Sequence, residues 1–151
     1  MTDANYTNHT HPFNPESPRL AAQALALALT DSPAVLIHGP RQCGKTTLAK
    51  QVGGQQNYAY ISFDDDSVRY AALDDATGFV QSLPSHVILD EVQRVPNLFT
   101  SLKAAIDRNR QPGRFILTGS SNVLLLPTLS DSLAGRMEIL RLHPFAQLET
   151  R

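Results

Sequence analysis

The sequence predicts an α/β fold in which a five-stranded, mostly parallel sheet carries helices on both faces. Short runs of apolar, β-branched residues recur along the chain, as in strands that are buried on both sides. Segments with a helical spacing of apolar residues separate these runs, which is typical of a parallel α/β sheet. At 151 residues the chain is long enough for one domain with its own core.

The first elements lead from a polar tail to a glycine-rich loop. Residues 1–16 are rich in Thr, Asn, His and Pro, so we expect a tail with little to bury and a domain over residues 17–151. A helix is expected over residues 17–29, with Ser17 as its N-cap and Pro18 in its first turn. The next elements are a strand at 34–38 and a helix at 46–52.

The rest of the chain continues the alternation. A second strand at 58–63 is followed by the acidic run at 64–66, which we interpret as a solvated turn in preference to a metal or acceptor site. The remaining strands are predicted at 86–90, 114–118 and 138–142, and helices at 67–73, 75–83, 97–109, 122–126 and 129–133.

Charge and cysteine content exclude several classes of protein. The net charge is −1 and charged residues make up 18% of the chain. The sequence therefore lacks the excess of basic residues that is typical of nucleic-acid-binding proteins. The apolar run at 20–29 is too short to cross a bilayer and lacks the basic flank of a signal peptide. The single Cys43 rules out an internal disulfide and fits a reducing cytoplasm. We therefore expect a cytoplasmic protein without membrane or nucleic-acid partners.

A complete phosphate-binding motif joins the first strand to the following helix. The pattern G-x-x-x-x-G-K-[ST] directs backbone N–H groups and a positive helix N-terminus at one point, which suits a polyphosphate. Lys45 is expected to reach the β- and γ-phosphates, Thr46 to hold Mg²⁺, and Thr47 to contact the α-phosphate. The candidate nucleotide-binding residues are Gly39, Pro40, Arg41, Gln42, Cys43, Gly44, Lys45, Thr46 and Thr47.

Two carboxylates end the third predicted strand. Asp90 and Glu91 follow an apolar run, at the strand end that faces the ligand crevice of a parallel sheet. Because side chains alternate along a strand, the two are expected to point different ways. Asp90 is placed to approach Mg²⁺ through water, and Glu91 to polarise a water that attacks the γ-phosphate. Alternatively, Asp90 and Glu91 are two exposed acids at a strand end without a function. The complete phosphate loop upstream favours the functional interpretation.

Three further residues have two interpretations each. Ser120 would sense the γ-phosphate or align the water if its strand lies between the first and the third, whereas Ser121 or Asn122 would simply cap a helix. Arg136 is a candidate arginine finger for a neighbouring subunit's phosphate, or a surface pair. Cys43 is a small filler of the loop, in preference to a redox-active thiol.

Several linked segments together resemble one family. They are "HGPRQCGKTTL", "YISFDDD", "VILDEVQRVPNLFTSLKAAID", "RFILTGSSNVLLL" and "SLAGRMEILRLHPF". From about residue 17 to its end, the chain is similar to bacterial and archaeal AAA-type (AAA+) ATPases that are followed by an uncharacterised C-terminal domain. The resemblance implies a P-loop NTPase core in the AAA/RecA-like strand order, with a strand between the phosphate loop and the Walker-B strand. It also implies ATP and Mg²⁺ as ligands, hydrolysis to ADP, and these roles by position: Lys45 and Thr46 in the loop, Asp90 and Glu91 as Walker-B acids, Ser120 as sensor and Arg136 in the GR motif.

Family members continue beyond the fifth strand, so the resemblance implies that this chain covers the ATPase core without the lid and the following domain. The cycle of ATP binding and hydrolysis would drive a conformational change in a protein partner, a second copy of the chain or the missing domain. A nucleotide-binding switch with little turnover is the second hypothesis. A small-molecule kinase is the third, suggested by size and by the acids after the second strand, although an Asp90–Glu91 pair placed for water activation counts against it.

Overall fold

A computed structural model describes residues 17–41 and 43–143 of the protein. Its centre is a five-stranded sheet in the order β2-β3-β4-β1-β5, and all four strand pairs are parallel. The predicted α/β fold class is therefore confirmed, while the polar tail predicted for residues 1–16 lies outside the described residues. The strands are β1 (Ala34–Gly39), β2 (Ala59–Ser62), β3 (Val87–Asp90), β4 (Phe115–Ser120) and β5 (Met137–Arg141).

The helices follow the predicted segments with shifted ends. Ser17 caps the first helix as predicted, since its hydroxyl accepts a hydrogen bond from the Leu20 N–H at 3.1 Å. The segment expected to be helical at 122–126 is instead a short 3₁₀ turn at Ser121–Leu125, and a second one spans Val92–Arg94. The α-helices are α1 (Pro18–Asp31), α2 (Lys45–Gly54), α3 (Asp66–Asp74), α4 (Ala76–Gln81), α5 (Leu98–Arg108) and α6 (Pro127–Leu133).

The sheet is buried on both faces. Alternate residues of one strand point to opposite sides, so Val35 and Ile37 pack with α1 and α2 while Leu36 packs in the other cluster, among residues of α3 to α6. Burial on both sides explains why the central strands β1, β3 and β4 read as mostly apolar runs, whereas the edge strands β2 and β5 are partly exposed. No helix within the described residues is long and apolar enough to span a bilayer.

The strand order determines which loops meet. β4 lies between β1 and β3, and its last residue, Ser120, pairs with Gly39 at the end of β1. Because the strands are parallel, the loops after β1, β3 and β4 emerge at the same edge, where α/β sheets bind ligands. The predicted intervening strand is thus confirmed.

The chain that leaves β5 lies directly against the start of the phosphate loop. The Leu142 N–H donates to the His38 carbonyl at 2.8 Å. A Cβ atom on Gly39 would come within 2.5 Å of the Leu142 carbonyl oxygen and 2.9 Å of the Cys43 sulfur. Only glycine fits at this position, since such distances are too short for a side-chain carbon.

Candidate functional site

The phosphate loop turns sharply into α2 at Gly44. This residue has φ +92°, a left-handed conformation that favours glycine because other residues carry a Cβ atom. The helix then begins at Lys45, so its first N–H groups, which have no partner within the helix, face the loop. The start of α2 therefore presents donors and a positive helix end to a bound anion.

Lys45 is a buried cation that has no acidic partner among residues 17–41 and 43–143. Only 6% of the residue is exposed, and its ammonium donates to the carbonyl oxygens of Gly39 at 3.0 Å and Pro40 at 2.9 Å. No carboxylate of residues 17–41 and 43–143 forms a salt bridge with it. A buried charge without a counter-charge is unfavourable, so this arrangement favours binding of an anion beside the loop.

Asp90 is held by hydroxyl groups from three elements. Its Oδ1 accepts hydrogen bonds from Thr46 at 2.8 Å and from Thr118, while its Oδ2 accepts from Tyr60 at 2.9 Å and Ser62 at 3.2 Å. The residue is 4% exposed. The bond to Thr46 joins the first turn of α2 to the end of β3, so the two halves of the predicted site meet.

Tyr60 keeps its proton in this network. Burial, and secondly its hydrogen bond to Asp90, raise the pKa of Tyr60 to about 12. The hydroxyl is thus a donor to the carboxylate at neutral pH. Tyr60 therefore fixes the orientation of Asp90 without adding a second negative charge.

Glu91 departs from the alternation expected of a strand. β3 ends at Asp90, and Glu91 adopts a left-handed conformation with φ 65°. Its N–H donates to the Thr118 hydroxyl at 3.1 Å, and its carboxylate accepts from the Gln93 amide at 2.7 Å. The expectation that Asp90 and Glu91 diverge was wrong, because the turn at Glu91 brings their carboxylate oxygens within 4.8 Å of each other.

A cleft of about 580 Å³ opens above these groups. The Ser120 N–H donates to the Gln93 side-chain oxygen at 3.3 Å, so Gln93 connects the ends of β3 and β4. Ser120 occupies the N-cap position of the 3₁₀ turn that follows, although Ser121 or Asn122 was expected to cap a helix here, and its side chain makes no capping bond. The cleft is lined by Pro40, Arg41, Lys45, Asp64, Glu91, Gln93, Arg94, Ser120, Ser121 and Asn122.

Five of the predicted residues line this cleft, namely Pro40, Arg41, Lys45, Glu91 and Ser120. Thr46 and Asp90 meet beneath it, whereas Thr47 is exposed on α2 and is absent from its lining. Cys43 is buried, and burial raises the pKa of its thiol, which agrees with a filler rather than a reactive group. Gln42 lies outside the described residues.

Arg136 also does not line the cleft. It precedes β5, and the next residue, Met137, pairs with Ala34 at the start of β1, so Arg136 lies at the opposite edge of the sheet. There it donates to both carboxylate oxygens of Asp107, at 2.7 and 3.0 Å. Arg136 cannot serve the cleft of its own chain; its action on a neighbouring subunit stays a prediction.

The sequence-based reasoning missed Asp64, Gln93 and Arg94. Asp64 was assigned to a solvated turn together with two acids that are structural: Asp65 caps α3, and Asp66 pairs with Arg69. Asp64 itself pairs with Arg94 at 2.7 Å in the cleft. The available signal was position, because Asp64 follows β2 and the ends of parallel strands share one edge.

His38 makes the stability of the loop region depend on pH. It is 6% exposed, and neither ring nitrogen has a hydrogen-bond partner among the described residues. Burial first, and then the charges of Arg141 and Lys45, lower its pKa from 6.5. Because the folded state disfavours the charged ring, the stability is complete above pH 6.5 and is lost as the pH falls from there through the lowered pKa.

We therefore expect the urea midpoint of unfolding to decrease between about pH 7.5 and pH 5. His38→Leu should remove this decrease, because leucine does not titrate. His86→Leu is the control, since His86 is exposed and its loss should leave the pH profile unchanged. A profile that is equally steep in wild type and His38→Leu would contradict the assignment.

Comparison with known proteins places these features in a family context. Residues 31–150 match the family described as "AAA domain". Uncharacterized protein Rv2008c of Mycobacterium tuberculosis and uncharacterized protein Mb2031c of Mycobacterium bovis are each 40% identical over 125 residues, 82% of this chain. The chain spans 28% of the length of these relatives.

Solved structures share the fold. The Walker-type ATPase PABY2304 of Pyrococcus abyssi superposes with a TM-score of 0.59 at 14% identity, over 88% of this chain and 56% of that one. The RuvB Holliday junction branch migration motor of Thermotoga maritima gives 0.54 at 26% identity, over 85% and 47%. Domain III of the replication initiation protein DnaA of T. maritima gives 0.54 at 19% identity, over 87% and 69%.

Proposed function

The chain belongs to the family of AAA domains, which are ATPase cores built on a phosphate-binding loop, and from this premise we propose that it binds ATP with Mg²⁺ and hydrolyses it to ADP and phosphate. The observation that carries the proposal is the 2.8 Å hydrogen bond between Thr46 and Asp90. It joins the residue that would hold the metal in the loop to the acid that would hold it on β3.

The residues of the cleft fit both ligands. Mg²⁺ prefers oxygen ligands, and oxygen atoms of Asp64, Asp90 and Glu91 lie within 4.8 Å of one another, beside the Thr46 hydroxyl. The buried ammonium of Lys45, which contacts only carbonyl oxygens within the described part of the chain, and the start of α2 suit a polyphosphate. The volume of about 580 Å³ is in the range of small-molecule sites.

Each residue has a defined part in the proposed reaction. Water forms a bond to the γ-phosphorus as the bond to the β-phosphate oxygen breaks, and Glu91 takes the proton that the water loses. Lys45 neutralises the charge that develops on the phosphates, and Ser120, at the mouth of the cleft, orients the water or the γ-phosphate. Bound Mg²⁺ would supply further neutralisation of the phosphate oxygens, held by Thr46 directly and by Asp90 through water.

We further propose that the ATP cycle acts on something other than the core itself. The chain spans 28% of its curated relatives, so the cycle would drive a partner, a second copy of the chain or the remainder of a longer protein. In a cytoplasmic homo-oligomer, Arg136 would leave Asp107 and reach a neighbouring subunit's γ-phosphate.

Single-turnover cleavage tests the proposal. The protein is held in excess over ATP that is labelled at the γ-phosphate, with either Mg²⁺ or a chelator, and the products are separated by thin-layer chromatography. We expect free labelled phosphate with Mg²⁺ and intact ATP with the chelator. Label on an acceptor molecule would instead identify a kinase, and bound ATP that stays uncleaved would contradict hydrolysis.

A nucleotide-binding switch with little turnover is the second candidate. It is favoured by the 2.7 Å bond from the Gln93 amide, which occupies the Glu91 carboxylate that would activate water. A switch would bind ATP as tightly as an ATPase. It would cleave ATP at the same low rate in wild type and in Glu91→Gln.

A further inference from the structure

We infer that Arg94 binds the γ-phosphate of ATP held by its own chain, and that Asp64 keeps its guanidinium in place until ATP arrives. The inference rests on the proposed function and adds to it a residue that distinguishes ATP from ADP. Its basis is the pairing of Arg94 with Asp64 inside the cleft.

Arg94 lies on the side of the cleft where the γ-phosphate must point. It belongs to the 3₁₀ turn that follows Glu91, at the end of β3. β3 is two positions from β1 in the sheet, roughly 10 Å from the strand that carries the phosphate loop. A polyphosphate that is gripped by the loop and reaches toward Asp90 extends in this direction, so its last phosphate approaches Arg94.

The present partner of Arg94 is easily exchanged. The side chains of Arg94 and Asp64 are 42% and 59% exposed, and exposed ion pairs contribute little to stability. A phosphate offers a guanidinium two parallel, charge-assisted hydrogen bonds. Arg136, by contrast, already makes two bonds to Asp107 at the far edge.

The neighbouring acids explain why an arginine is needed here. Carboxylate oxygens of Asp64, Asp90 and Glu91 lie within 4.8 Å of one another, and they would repel a γ-phosphate. A cation beside them lowers this repulsion where the third phosphate lies. ADP has no phosphate at that position, so the contribution of Arg94 should be specific to ATP.

The test is the dissociation constant of Mg-ATP and of Mg-ADP, measured by calorimetry for wild type and Arg94→Ala. We expect the affinity for ATP to fall about 10- to 100-fold, as for loss of a hydrogen bond to a charged group, and the affinity for ADP to change by less than about 2-fold. Arg108→Ala is the matched control, since Arg108 is exposed on α5 and does not line the cleft. An equal loss for both nucleotides, or none, would overturn the inference.

A double variant separates contact from charge balance. Arg94→Ala alone leaves Asp64 without its counter-charge, which would itself repel ATP. The double variant Arg94→Ala/Asp64→Asn has the wild-type net charge and no unpaired acid at this pair. Relative to Asp64→Asn alone, which accounts for any loss of a metal ligand, we expect it to keep most of the loss specific to ATP. Full recovery of ATP affinity would show that Arg94 only neutralises Asp64.

Mixing tests whether Arg94 acts within its own chain. The Lys45→Ala chain keeps Arg94 but should not bind ATP itself. Its Arg94 could therefore contact only ATP that is bound to a neighbouring Arg94→Ala chain. Adding it to Arg94→Ala should not restore ATP affinity; restoration would place the contact between subunits. Failure of the wild type to bind either nucleotide would instead overturn the proposed function, and with it this inference.

Discussion

Lys45→Ala is expected to abolish measurable binding of ATP. The ammonium is buried, donates to two loop carbonyls and lacks an acidic partner among the described residues, so a phosphate is the counter-charge that the site requires. Removing one partner of a buried charge pair costs about 2–5 kcal/mol, and we expect the dissociation constant of Mg-ATP to rise by about 30- to 4,000-fold. Calorimetric titration of both proteins measures the change.

The fold should survive this substitution, because alanine is a good helix former and the position begins a helix. Far-UV circular dichroism should therefore be nearly unchanged. Lys103→Ala is the matched control, since Lys103 lies on α5 and does not line the cleft. Tight ATP binding by a folded Lys45→Ala protein would contradict the phosphate-loop assignment.

Glu91→Gln should separate cleavage from binding. Glutamine keeps the size of the side chain but cannot accept the proton of the attacking water, and a positioned general base contributes about 10²- to 10⁴-fold to a rate. We expect single-turnover release of phosphate to fall within that range. The dissociation constant of Mg-ATP should change little, because Lys45 and the loop remain.

The control is Glu138→Gln, which makes the same chemical change on β5, where the carboxylate accepts from Ser32 and lies outside the cleft. Its cleavage rate should equal that of the wild type. A wild-type rate in Glu91→Gln would contradict the assignment of Glu91 as the base. Equal rates near zero in the wild type and in Glu91→Gln would favour the switch.

The fold could be predicted because its signals are local. The three central strands β1, β3 and β4 are mostly apolar runs, since they are buried on both faces. Ser17 with Pro18 marks the start of α1 as capping chemistry requires. The meeting of Thr46 and Asp90 also followed from the sequence, because parallel strands bring their ends to one edge. The helix predicted at 122–126 is instead a 3₁₀ turn at Ser121–Leu125.

The finer arrangement of the cleft depends on contacts between distant parts of the chain. Thr118 donates to Asp90 and accepts from the Glu91 N–H, 28 and 27 residues away in sequence, and no local pattern reports such bonds. The left-handed conformation of Glu91 could not be predicted from the sequence either, because glutamate has no preference for it. Arg94 reads as an ordinary surface residue until Asp64 is placed beside it.

The tight fit between Gly39 and Leu142 couples the position of the phosphate loop to the chain that leaves β5. There is no space for even one methyl group between the phosphate loop and the carbonyl that follows β5, and the Leu142 N–H is tied to the residue before Gly39. If nucleotide binding displaces Gly39 toward β5, Leu142 must move with it.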